Sequence, residues 1–163
     1  MSDTAKSYAQ TLHNCFFGEA WHGPALMEAI DGIDAAAANA RPLAGAHSIW
    51  ELVNHIHVWN RIMLEWLHLR PADVELGSAQ DFPAPRDASD AAWRRTVDDL
   101  VATFKQVEQK VATLTEEALK KIVPGRKYDF HTLCAGLPHH FTYHGGQIAI
   151  LKKAAMASRS AKV

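Results

Sequence analysis

Apolar residues recur at helical spacing along almost the whole chain, and prolines and glycines divide that pattern into segments. A first helix is expected from about Thr4 to Ala20. Gly23-Pro24 then breaks or kinks it, and Ala25 to Ile30 continues it as a short piece. The alanine-rich stretch Asp34 to Ala40 suits one or two turns, before a loop marked by Arg41-Pro42 and Gly45. The second helix has a defined start, because Ser48 and Glu51 form the S-x-x-E pattern of a capping box. Ile49, Leu52, Ile56, Trp59, Met63 and Trp66 follow at helical spacing, and the helix should end near Arg70, before Pro71.

Residues 71–88 contain Pro71, Gly77, Pro83 and Pro85 and read as an irregular connection. Extended, it reaches up to about 60 Å. The second helix is only about 33 Å long. The connection can therefore retrace that helix, which allows the second and third helices to run parallel. A simple up-down-up-down bundle would not need so long a link. The third helix is expected from Ser89 to about Ala112, with Asp90 at its positive end and a stripe of Trp93, Val97, Leu100, Phe104, Val107 and Val111. A short turn from Glu116 to Lys121 and a break at Pro124-Gly125 precede a fourth helix from about Asp129 to Met156. Pro138 should bend that helix or cost it an internal hydrogen bond. The tail Ser158 to Val163 is small, polar and basic, and is expected to fray. No strand pattern or internal repeat is visible. The fold class is all-α: a four-helix bundle with a long crossover between helices 2 and 3.

Length adds one point. At 163 residues the chain is most simply one domain, 1–163, large enough to fold without staples. Its 17 basic and 18 acidic residues leave a net charge of -1, which argues against a nucleic-acid surface. Cys15 and Cys134 suggest no disulfide framework and read as reduced thiols of a cytoplasmic protein. The N-terminus MSDTAKSYAQ lacks the apolar core of a signal peptide, and no apolar run is long enough to span a membrane.

Ten histidines change the picture more. His140 and His144 lie four apart in the fourth helix, so their imidazoles point the same way, about 40° apart around the axis. That arrangement suits one transition-metal ion, but two ligands do not close a site. Candidates for a third are His13, His22, His47, His55, His57, His68, His131 and His139. His55 lies on the otherwise apolar stripe Leu52, His55, Trp59, Ile62, Trp66 and should face the bundle interior, whereas His57 lies on a mixed face. A histidine on an apolar stripe is more often a hydrogen-bonded core residue than a ligand, and both readings of His55 stand on the residues alone.

Three segments carry a resemblance: Gly18-Glu19-Ala20-Trp21-His22-Gly23-Pro24, His47-Ser48-Ile49-Trp50-Glu51-Leu52-Val53-Asn54-His55-Ile56, and His140-Phe141-Thr142-Tyr143-His144-Gly145-Gly146-Gln147-Ile148. In order and spacing they resemble the DinB-like proteins, the YfiT-like group of metal-binding four-helix bundles. The resemblance implies three histidine ligands, which fall on His55, His140 and His144 in this sequence. It also implies the long crossover already inferred and a homodimer, and imidazole ligands suit a divalent transition metal such as Zn or Ni. Related proteins include transferases and isomerases that use a low-molecular-weight thiol. The expected function is therefore metal-dependent, a hydrolase or thiol transferase acting on a small molecule. Pro138 departs from the expected pattern, since it sits two residues before His140 and could tilt that ligand.

Three neutral histidines would leave the ion its full charge and an open position for water or a thiol. Glu51 is one turn before His55, but its capping role accounts for it. Gln147 could hold water or substrate, or pair with backbone. Tyr143 points away from the two-histidine face, His139 is about 100° from His140, and His22 ranks below the three ligands. Cys134 lies off the ligand face, and Cys15 sits among Phe16 and Phe17 as a core residue. The competing reading is a non-catalytic helical module whose tryptophan-rich faces serve dimerisation.

Overall fold

The computed structural model describes residues 2–160, with side chains to residue 157. Among them are seven helices: α1 (Asp3–Phe17), α2 (Leu26–Ile30), α3 (Ala35–Asn39), α4 (Ile49–Leu67), α5 (Asp90–Ala112), α6 (Glu116–Leu119) and α7 (Phe130–Ser160). The four long ones, α1, α4, α5 and α7, form the bundle.

Side-chain pairs give their directions. Trp50 Nε1 donates to Thr96 Oγ1, and His57 Nδ1 lies 3.5 Å from Thr103 Oγ1, so α4 and α5 keep one offset of 46 residues and run parallel. His13 pairs with Glu108 while Phe16 stacks on Phe104, so α1 is antiparallel to α5. His55 meets His144 while Trp59 meets His140, so α4 is antiparallel to α7. The crossover that parallel neighbours require is residues 71–88, which form no helix. It retraces α4 from one end to the other: Trp66 Nε1 donates to Ala72 O, Trp59 Nε1 to Asp81 Oδ1, and Asn54 Nδ2 to Pro83 O.

Helix starts follow local chemistry. The side chains of Ser2, Asp34, Ser48, Ser89 and Thr115 each accept an amide hydrogen bond at an N-cap, and Ser48 with Glu51 completes the expected box. Ends are less faithful to expectation. Helix α1 stops at Phe17 rather than Ala20, and Glu19 follows in a left-handed conformation (φ 64°). Helix α4 stops at Leu67 rather than near Arg70. Leu69 turns left-handed (φ 59°), its amide donates to Trp66 O and that of Arg70 to Glu65 O. This is a Schellman closure with leucine where glycine is usual.

Helix α7 runs to Ser160, past the expected end at Met156, because no breaker interrupts Leu151–Ala157. Of the tail expected to fray, residues 161–163 lie outside the described residues. Pro138 does not divide α7. The segment before α7 closes as a tight hairpin-like turn, with Val123 N donating to Tyr128 O, Phe130 N to Lys121 O, and a single bridge between Ile122 and Asp129.

The core is aromatic at its centre. Phe16 stacks on Phe104 at 3.7 Å, and Phe141 meets both edge-on. Each is essentially fully buried, a burial that contributes about 1.5–3 kcal/mol per ring. These rings tie α1, α5 and α7 together beside the α4–α7 seam, where the histidines lie.

Candidate metal centre

His55 projects inward from the middle of α4 because it occupies that helix's apolar stripe, and only 5% of it is exposed. His140 and His144 project from α7 onto the same seam. Pro138 lies inside the helix without turning either away, and Thr142 Oγ1 donates back to Pro138 O at 2.9 Å. One nitrogen from each of the three rings lies within 4.8 Å of the others. His55 Nε2 and His140 Nε2 are 3.1 Å apart. Two imidazole nitrogens on one tetrahedral zinc stand about 3.3 Å apart, from bond lengths of about 2.0–2.1 Å.

The outward nitrogens fix which face is free. His55 Nδ1 is 2.8 Å from Asp81 Oδ1 and 3.0 Å from the Asp81 backbone oxygen. Both are acceptors, so Nδ1 carries the proton and Nε2 presents a lone pair inward. His144 Nδ1 is 2.7 Å from Gln147 Oε1 and donates to it, which leaves its Nε2 as the free nitrogen. Asp81 is itself 2% exposed and also accepts from Gly77 N at 2.8 Å and Trp59 Nε1 at 2.9 Å. Burial pushes its carboxyl up, but the Gly77 amide, the Trp59 indole and the His55 ring outweigh that and hold it below the ordinary value. A carboxylate behind a histidine is the arrangement that fixes tautomer and ring orientation at metal sites.

All three rings favour the neutral form. Burial lowers the pKa of His55 despite Asp81, takes His140 down to about 3 with its histidine neighbours adding, and takes His144 down to about 4. Neutral imidazole is the metal-binding form. His55 Nε2 and His140 Nε2 face each other at 3.1 Å, and His140 Nδ1 is buried with no partner. The donor set therefore fits a borderline-soft divalent ion.

Residues 20–148 match the model of the DinB superfamily. The chain belongs to that family. No curated protein and no solved structure matches the chain. The part of this DinB-superfamily chain that matches holds all three histidines and the whole crossover.

Other histidines lie elsewhere. His57 faces Thr103 of α5, His13 pairs with Glu108, and His139 is exposed. His22 is exposed and bonds Thr142 Oγ1 at 3.0 Å. The Glu51 carboxylate is taken up by the Ser48 amide and Arg41, as its capping role required. Tyr143 is exposed, and Cys15 and Cys134 are buried. Gln147 holds the His144 ring, a role its spacing of three residues allowed but did not specify. Sequence reasoning missed Asp81 and Phe82. The Phe82 ring lies 4.0 Å from both His47 and His55, near-parallel to each, and shields the His55 face. The only hint was that a connection retracing α4 must pass His55.

Proposed function

We propose that this chain holds a divalent transition-metal ion, Zn or Ni, on His55, His140 and His144, and that the site serves a reaction on a small molecule. The reaction is hydrolysis or transfer involving a low-molecular-weight thiol. The convergence of three neutral imidazoles on one point carries the reading. When bound, such an ion acts as a Lewis acid that lowers the pKa of a water or thiol toward neutrality. The chain's own residues do the rest. Asp81 keeps the proton on His55 Nδ1 and fixes that ring, Gln147 fixes His144, and Phe82 and Trp59 keep water from the flanks of His55. Three protein ligands rather than four favour a reactive over a purely structural role.

The reading includes a homodimer, formed through the face that carries Trp21, Tyr143 and Ile150. Trp21 is fully exposed, and the His22–Thr142 contact brings its segment beside Tyr143. Exposed aromatic patches of this kind are typical of interfaces.

Cobalt substitution tests the thiol version. Adding a small thiol to the cobalt-loaded protein should change its visible spectrum. An unchanged spectrum at saturating thiol removes thiol transfer and leaves hydrolysis.

A further inference from the structure

A cleft of about 240 Å³ opens between α4 and α7 directly beside the histidine cluster. Its walls are Trp59, Met63 and Trp66 of α4 and Leu133 and Leu137 of α7, and it ends at the ring of His140. His140 is the least buried of the three histidines. The lining is mostly apolar, with the hydroxyl-bearing Tyr128 and Thr132 also on it, and His140 closes the end that faces the cluster. Trp59 and Trp66 meet edge-to-face at 6.1 Å between centroids. Arg126 lies 4.8 Å over the Trp66 ring and pairs with Asp73 at 2.7 Å, so the turn before α7 and the crossover together hold Trp66 in place. A dry apolar cavity of about 150 Å³ holds benzene. The cleft here is open to solvent along one side, and its volume is enough for one six-membered ring and a short arm.

Gly136 completes the wall from α7. A Cβ built there meets nothing within 4 Å, and its backbone is ordinary helix. No close helix contact explains a glycine at this position. Gly136 is solvent-exposed at the rim of the cleft, so a longer side chain there has room to reach across it.

We infer that the cleft seats the apolar part of the substrate, and that the substrate is an arylalkyl compound whose polar head reaches the His55–His140–His144 cluster. The head-group half of this inference rests on the metal reading above; the ring half rests on the cleft walls. The partly exposed Trp59 ring, backed by the buried Trp66, favours an aromatic ring over a branched aliphatic chain.

Two hydroxamates test this in the cobalt-loaded protein: phenylacetohydroxamate and acetohydroxamate, which share a metal-directed head and differ by the ring. Titration followed by the visible spectrum should give about tenfold or more tighter binding of the aryl compound. Gly136→Leu adds an apolar side chain at the rim of the cleft, and leucine is a better helix former than glycine, so the fold should hold. It should abolish the aryl advantage and leave acetohydroxamate affinity and metal content unchanged. Equal affinities in wild type, or an aryl advantage that survives Gly136→Leu, overturn the inference.

A second arm needs no metal. In metal-free protein, 4-fluorobenzyl alcohol should show ¹⁹F line broadening that Gly136→Leu removes; no broadening overturns the ring half. Metal loading without an aryl advantage sinks the cleft inference alone. Broadening in a protein that never takes up metal sinks the metal reading alone.

Discussion

Removing the Asp81 carboxylate leaves the His55 Nδ1–H with only a backbone oxygen to orient it. Asp81→Ala should weaken metal binding about 10–100-fold, the usual cost of losing such a partner. Competition with a chromophoric chelator measures this. Asp81→Asn keeps an acceptor and should lose less; equal losses would mean charge, not orientation, is what Asp81 supplies. Cys134 makes an independent residue-scale test. Burial pushes its thiol up to about 12, from 9.0 for a free cysteine. The unfolded chain therefore releases this proton first as pH rises. The associated stability is intact below pH 9 and is lost as pH climbs from 9 toward 12. In native protein near pH 8, Cys134 should react with a thiol reagent about a hundredfold or more slowly than in denaturant. Asn60 is fully buried with neither amide atom partnered. Asn60→Leu should raise stability by about 1 kcal/mol in a denaturant melt, because an apolar group of similar shape removes an unmet desolvation cost. The residues that chemistry marks by type, His140 and His144 above all, were legible in the sequence. Asp81 was not. It is one aspartate in a proline-rich connection, and only the path of the crossover brings it to His55.

At the scale of elements, starts were more legible than ends. An N-cap needs a particular side chain, and Ser48 with Glu51 announces α4. Ser48→Ala should cost about 1 kcal/mol in thermal or denaturant unfolding, with metal content per folded chain unchanged. The end of α4 was misplaced because its closure uses Leu69 in a left-handed conformation, where a sequence reader looks for glycine. Pro138 shows how a breaker can sit inside a continuous helix. Proline inside a helix costs a hydrogen bond, yet α7 stays in one piece with α1 packed on it before Pro138, through Tyr8 and His131, and after it, through Phe16 and Phe141, and His140 faces His55. Tertiary contacts there outweigh a local rule.

The whole molecule turns on one topological fact. Because α4 and α5 run parallel, the chain must retrace α4, and that return path delivers Asp81 and Phe82 to a histidine 26 residues upstream. The length of the 71–88 connection against that of α4 made the parallel pair legible beforehand. Which crossover residue would meet His55 was not, since irregular backbone carries no periodicity to set its register. The cluster thus depends on two helices and the link between them, and losing any one of its histidines should empty it while the aromatic core of α1, α5 and α7 keeps the fold. Elemental analysis of untagged protein, purified without added metal, beside His55→Ala tests this most directly. The wild type should carry about one Zn or Ni per chain and the folded variant none. Metal absent from both, or retained by His55→Ala, would contradict the three-histidine site.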